Sequence, residues 1–459
     1  MSGDLEYRGE GNANIVLCDN KTHTVLRLKK KKTGATSNYK QEHVEKISSF
    51  WEHVISPYFS ERFIRHGNEV PLNDEFWLQI PTVLDGKRPF QRQNSEIDKA
   101  QTSALTLPDL CFVVNPYISS TSPTISVEIK CKKGFLPTLE CLSPKTTLKS
   151  QVCRFCLLQE TKFSRGTWDQ VSQYCPLDLF SGEPDRMKHT IQCLMQTPQN
   201  NLRIFKDGEQ VWGQEKMLND VMLFESDPSD GRRTADDLID LLVQCLLTVP
   251  GELQQMEQNP NPRQICRNSS FVDRNPSKSH SELPLSSILE RLLRLQKLDD
   301  SDVEAIYPLY QKIQEELQKN PELFEELNLE GPFDAAAWRP GCPDLGPTDS
   351  FEYAVNKVKQ FMISTTARDA SVMIALQPLT KEEYEEANAM PERTSCQLLV
   401  SHGSKHQFYQ YTMSLVDLDP KDWKKIPVYF ERDIEILKTF TEKRPQFISK
   451  INLKAVQED

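Results

Sequence analysis

The apolar residues of this 459-residue chain change their spacing as the chain proceeds, and that change limits the folds it can adopt. Near the start, Ile15 to Cys18 and His23 to Leu28 are short β-favouring runs, with Asp19-Asn20-Lys21 as the turn between them. Helical spacing follows over 41–65, where Val44, Ile47, Phe50, Trp51, Val54 and Ile55 recur. Strands are predicted near 104–115 and 124–130, and helices over 146–162, 185–197, 235–249 and 285–327. Residues 253–284 are rich in Asn, Pro, Gln and Ser and read as a flexible insert. Beyond it come a helix at 350–366, a strand at 371–376, strands in CQLLVS and FYQYTMSLV, and a last helix at 431–442. Strands followed by helix-rich stretches predict an α/β or α+β architecture with a small β-rich N-terminal part.

Composition narrows the function. The formal net charge is −11, against the broad basic field that nucleic-acid binding needs. Local basic clusters, RLKKKK (27–32), KCKK (130–133) and KDWKK (421–425), fit a small, densely anionic ligand better; each taken singly also reads as a solvated face. No apolar run approaches the roughly 18 residues of a membrane span. The start, MSGDLEYRGEG, has no apolar signal core, so the twelve cysteines are expected as reduced thiols of a cytoplasmic or nuclear protein.

Five segments could carry chemistry. GEGNAN (9–14) places two glycines before a strand, where backbone N–H groups can approach phosphate; taken alone, a plain hairpin turn is the simpler explanation. Arg27, within a strand, has the fork that matches phosphate oxygens, or is ordinary edge-strand charge. In SVEIKCKKGF (126–135), Lys130 and Lys132 share one face if the strand continues. Two cations roughly 7 Å apart make sense facing water or a polyanion. Gly134 then allows a change of direction. In SLVDLDPKDWKKIPVYF a strand ends at Asp417. Asp419 and Pro420 look like a helix start, with Lys421 and Lys425 on one helical face; a capped surface helix explains this equally well. Arg368 and Asp369 stand between a helix and an apolar strand, where a carboxylate could take a proton from a hydroxyl; a turn aspartate is the plainer alternative. Jointly these are the parts of phosphoryl transfer.

GEGNAN, VLR, VEIKCKKGF, CRFC, PLDLFSG, TPQNNLRIF, ARDASVMIA and VDLDPK occur in the order found in the inositol-pentakisphosphate 2-kinases, and from about residue 7 to 430 the chain resembles that family. The resemblance implies a two-lobed, distantly protein-kinase-like fold, with a small β-rich N-lobe (1–112) and a larger mixed C-lobe (113–459). It implies transfer of the ATP γ-phosphate to the axial 2-hydroxyl of inositol 1,3,4,5,6-pentakisphosphate, with Mg²⁺ as cofactor. Gly9, Gly11, Asn12, Ala13 and Asn14 would form the nucleotide loop, with Arg27 at the triphosphate and Asp109 near the adenine. Asp369 would be the base, Asp417 the Mg²⁺ ligand, and Lys130 a catalytic cation. Lys32, Arg92, Lys130, Lys132, Arg154, Lys162, Asn200, Asn201, Lys421, Lys425 and Tyr429 would grip the inositol phosphate. Without that ligand, bare lysines round one cavity would repel, so an empty site is expected to be less ordered.

The chain departs from the family pattern at Cys131 and Lys133, within a segment commonly EIKPKCGF, at Leu158, where a histidine is common, and at Lys425 in place of an arginine. Pro427 is expected to interrupt the helix before Tyr429. Some family members hold a structural zinc; here Cys266 and His280 lack paired spacing, and Cys153 and Cys156 have no second pair nearby, so clear ligand spacing for zinc is missing. Two other functions stay open: an inositol-polyphosphate kinase of different hydroxyl preference, and a non-catalytic inositol-phosphate scaffold. Protein kinases are disfavoured by the lack of H-R-D-L-x-x-x-N and D-F-G. A monomer, with no nucleic-acid or membrane partner, is expected.

Overall fold

The computed structural model describes residues 5–37, 39, 43–59, 62–114, 118–213, 235–249, 282–331, 347–389, 398–402 and 407–445. Twelve strands are present among them: β1 (Leu5–Glu10), β2 (Asn14–Asp19), β3 (Thr24–Lys32), β4 (Asn68–Pro71), β5 (Ser95–Ile97), β6 (Ser103–Pro108), β7 (Ile125–Lys130), β8 (Leu202–Lys206), β9 (Glu209–Trp212), β10 (Ser371–Leu379), β11 (Leu398–His402) and β12 (Gln407–Val416). The α-helices are α1 (His43–Phe50), α2 (Asp74–Leu84), α3 (Arg154–Ser164), α4 (Pro176–Leu179), α5 (Pro184–Gln196) and α6 (Ala235–Leu247). They continue with α7 (Ile288–Gln296), α8 (Val303–Lys319), α9 (Leu323–Leu327), α10 (Phe351–Asp369), α11 (Lys381–Ala389) and α12 (Ile426–Lys443). The fold is thus mixed α+β. No helix among the described residues is long and apolar enough to cross a membrane.

The chain forms two compact units. The first comprises 1–128, 203–233 and 372–416, and the second 129–202, 234–371 and 417–459. The first sheet has the order β1-β2-β3-β6-β4, with β5 paired to β3. Its alternation buries Ile15, Leu17, Leu26, Leu28 and Ala104 on one face, against Phe76 and Ile80 of α2. Asn73 caps α2, its side chain accepting from the Phe76 N–H at 2.9 Å, with Asp74 and Glu75 in the first turn. The second sheet has the order β11-β12-β10-β7-β8-β9. The boundary between the units falls inside β7, after Glu128.

The second unit is helical. One of its cores, among the described residues, joins Ile306 and Ile313 of α8, Val358 and Phe361 of α10, and Trp423 and Ile426 at the start of α12. Ser350 caps α10 by accepting from Tyr353 N–H at 3.0 Å, and Asp302 caps α8 by accepting from Glu304 N–H at 3.2 Å.

The predicted hairpin, the strands at 124–130 and 371–376 and most helices occur. β1, β4, β5, β8, β9 and α2 are not among the predicted elements: β4, β5 and β9 have only three or four residues and β1 few apolar ones, whereas β8 and α2 are rich in apolar residues and were overlooked. The region 146–162 is broken into a short 3₁₀ turn (Thr147–Ser150) and α3, because Cys153 is an extended N-cap. The helix expected at Asp419-Pro420 does not form. The cap is Asp422, which accepts from Lys424 N–H at 3.0 Å, so Lys421 lies outside the helix and shares no helical face with Lys425. Pro427 opens α12 rather than breaking it, where its missing N–H costs nothing. Gly134 has no left-handed backbone; a Cβ there would lie 2.4 Å from the Phe180 ring, so close packing requires the glycine. The insert at 253–284, with Cys266 and His280, lies almost wholly outside the described residues.

Candidate active site

The candidate centre in the second unit gathers at the ends of three elements. Lys130 ends β7, Asp369 ends α10 and Asp417 follows β12. Lys130 Nζ lies 2.9 Å from Asp417 Oδ2. Lys421 Nζ is 2.8 Å from Asp369 Oδ2, and Lys132 Nζ is 3.9 Å from Asp369 Oδ1. Lys130, Lys132 and Lys421 are therefore not bare, as the sequence suggested, because each faces a carboxylate. Both aspartates remain about half exposed, 52% for the Asp369 side chain and 50% for Asp417. Lys132 (φ 59°) and Asp417 (φ 63°) hold left-handed backbone conformations that side-chain-bearing residues rarely adopt. Such strain, on the order of 1–3 kcal/mol per residue, gathers at functional sites.

The electrostatics follow from this placement. Burial pushes the Asp369 carboxyl up, but Lys421 and Lys132 outweigh it and hold it below the usual carboxylate range. Lys421 is raised: burial opposes its charge, and Asp369 overcomes that. Lys132 is lowered, chiefly by burial.

Beside this cluster lies a cavity of about 220 Å³, lined by six cationic side chains and two carboxylates. Lys132, Arg154 and Lys162 are among the substrate-binding residues expected from the sequence; Lys133 stands out there only within the basic cluster 130–133 and as a departure from the family pattern, Arg368 only beside Asp369, and Arg432 not at all. Burial, then Lys132 and Arg432, lower Lys162 to about 8; burial and then Arg368 lower Lys133 to about 7. Arg154 is lowered to about 10, chiefly by burial. Arg154 pairs with Asp433, which with Asp302 also holds the buried Lys149, at 2.8 and 2.6 Å. Tyr429 and Leu158 also line the cavity. Asn201 is buried, and its carbonyl accepts the Lys130 N–H at 2.9 Å; Asn200 precedes it, half-buried. Lys425 is exposed at the start of α12 and does not line the cavity. Arg368 carried a sequence signal, its place beside Asp369. Arg432 carried none, because a lone arginine in a helix reads as solvated charge.

The glycine segment belongs to the first unit. GEGNAN is the β1–β2 turn, closed by Gly11 N–H to Asn14 O at 2.9 Å. Residues 12 and 13 form its exposed tip. Gly9, Val16, Arg27 and Leu105 pair in one row across the sheet, so Arg27 faces away from the Ile15–Leu28 core, with its guanidinium 5.6 Å from the Trp51 ring. A Cβ on Gly9 or Gly11 would meet nothing within 4 Å. Glu10, missed from sequence, fixes the turn. Arg88 reaches it through two bonds of 2.9 Å, and Lys30 binds it too. Arg92 binds Asn12 at the tip, and the exposed Lys32 pairs with Ser95. Asp109 takes Arg8 at 2.5 Å and accepts the Cys111 N–H at 3.0 Å.

The sequence profile of the inositol-pentakisphosphate 2-kinases matches residues 7–435. The chain belongs to this family. A Danio rerio protein named inositol-pentakisphosphate 2-kinase is 31% identical over 95% of this chain and 92% of its own length. An Arabidopsis thaliana protein of the same name is 29% identical over 96% and 94%, and an Oryza sativa relative named inositol-pentakisphosphate 2-kinase IPK1 is 29% identical over 95% and 93%.

Proposed function

We propose that the chain transfers the γ-phosphate of ATP to the 2-hydroxyl of inositol 1,3,4,5,6-pentakisphosphate, giving the hexakisphosphate. The observation that carries this is Asp369, half exposed between Lys132 and Lys421 beside a cavity with six cationic side chains. Its carboxylate is ionised and can accept the hydroxyl proton, and the two lysines that lower its pKa also weaken it as a base. The 2-oxygen then bonds to the γ-phosphorus as the bond to the β–γ bridging oxygen breaks, and ADP leaves. Lys130 and Lys132 offset charge on the transferring group, and Arg154, Lys162, Lys421, Asn200, Asn201 and Tyr429 contact the ring phosphates. Lys425 is a further candidate phosphate contact, as are Lys32 and Arg92 in the N-terminal lobe (1–112). That lobe binds the nucleotide through Gly9–Asn14, Arg27 and Asp109, while 113–459 holds the acceptor.

The backbone at Gly9 and Gly11 is open, with room for a phosphate-bearing ligand to approach its N–H groups. A half-exposed carboxylate such as Asp417 suits Mg²⁺, which takes one or two carboxylates and keeps phosphate or water oxygens as its other ligands. When bound, the ion would neutralise charge on the triphosphate.

The test is turnover of ATP with the pentakisphosphate and phosphorus NMR of the product. A new phosphate on the 2-oxygen is expected. Phosphorylation at another hydroxyl of a less substituted inositol would favour a different kinase specificity. Tight binding without turnover would favour a scaffold.

A further inference from the structure

The apolar face of α7 carries one polar residue. Ile288, Leu289, Leu292 and Leu295 recur at helical spacing and are fully buried. Gln296 continues that face and is 0% exposed. A carboxamide there costs free energy unless its polar atoms are paired, and all of them are. Gln296 Nε2 donates to the Lys132 carbonyl at 2.8 Å and to the Ala367 carbonyl at 3.2 Å, and Oε1 accepts the Gly134 N–H at 2.9 Å. The reversed amide would set Oε1 against two carbonyl oxygens, so the partners fix its orientation. The same stretch grips α10 twice more: the Ser364 hydroxyl donates to the Gln296 carbonyl, and Arg368 Nη2 donates to the Asp299 carbonyl at 2.6 Å.

These bonds join the two pieces of backbone that carry Lys132 and Asp369. Lys132 stands just beyond β7 in a left-handed conformation, which persists only where outside partners hold it. Ala367 lies in the last turn of α10, two residues before Asp369. Lys132 Nζ and Asp369 Oδ1 are 3.9 Å apart, too far for a hydrogen bond between them to set the spacing. An oxygen about 2.8 Å from each atom can stand between them. We propose that Gln296 is a positioning residue for phosphoryl transfer: its amide ties the Lys132–Gly134 backbone to the end of α10 and so keeps Lys132 and Asp369 at a spacing that one acceptor oxygen bridges. Gln296 itself touches no reacting group. The role rests on the proposed function, with Asp369 as base and Lys132 as the cation beside the transferring group.

The test compares the full native chain with Gln296→Met, which keeps the volume and removes the amide, and Gln296→Glu, which keeps the shape and loses at least one donor. With ATP and inositol 1,3,4,5,6-pentakisphosphate, kcat should fall by about tenfold or more in both. The pentakisphosphate Kd from calorimetry should change by less than about threefold, at unchanged stoichiometry. In a Lys132→Met background the same change at Gln296 should cost less than about threefold further, because the group it positions is already gone. One readout needs no variant: the Gly134 N–H lies outside any strand, yet should exchange as slowly as the amides of β7. Unchanged kcat in both variants, full additivity with Lys132→Met, or fast exchange at Gly134 would each overturn the role. So would a loss of binding stoichiometry that matches the loss of kcat, which would make Gln296 structural only. Turnover is read first on the native chain. Its absence overturns the proposed function and this role with it, whereas normal turnover by the native chain and both variants overturns the role alone.

Discussion

At the last residue of α10, Asp369 sits where the helix dipole opposes a carboxylate, and Lys421 and Lys132 reverse that cost. Replacing Asp369 by Asn keeps the shape and removes the charge. Turnover should fall about 10²–10⁴-fold while pentakisphosphate binding by calorimetry changes little; a near-normal rate would move the base elsewhere. Lys133 and Lys162 supply a pH test. Their pKa values, about 7 and 8, lie below the ordinary lysine range, so the empty fold holds fewer protons there than the unfolded chain. Through these groups the empty fold gains stability as pH rises across that window. Polyphosphate binding has the opposite sign, because it favours the charged lysines. Binding near pH 7.5 should therefore take up protons and weaken as pH rises, which calorimetry in buffers of different ionisation enthalpy will read. Asp369, Lys132, Arg154, Lys162 and Tyr429 were all named from the chain and line one cavity. Their partners were not legible, because an ion pair such as Lys421–Asp369 spans residues far apart in sequence.

At the scale of elements, Lys149 ties three pieces together. It reaches Asp302 at the cap of α8, Glu304 in its first turn at 3.1 Å, and Asp433 of α12. All but Glu304 are buried, and Arg154 shares Asp433. Lys149→Met would leave buried carboxylates uncompensated and should cost about 3–5 kcal/mol in urea unfolding. An unchanged midpoint would mean that the surrounding groups rearrange. Period and turn chemistry disclosed β2, β3, β7, β10 and α10, whose apolar residues are dense and regular. They did not disclose β4, β5 or β9, which have three or four residues and find their place by pairing with longer neighbours.

Across the whole molecule, a chain of net charge −11 concentrates cations at one cavity. Affinity for the inositol polyphosphate should fall steeply between low and physiological salt, as screening shortens the reach of that field. Calorimetry over a salt series will check this; a flat response would mean that ring contacts other than charge dominate.

Local chemistry was decided by the sequence. The alternation of β2, β3 and β7 sets which side chains share a face, the capping residues start the helices, and the ordered motifs mark the family. These depend on neighbours within a few positions, where backbone geometry fixes the outcome. Tertiary structure decided which groups meet. It set Asp369 against Lys421, brought Arg432 and Lys133 into the cavity, and carried Gln296 to the Lys132 and Ala367 carbonyls. Such meetings depend on packing between distant segments, which no local spacing encodes.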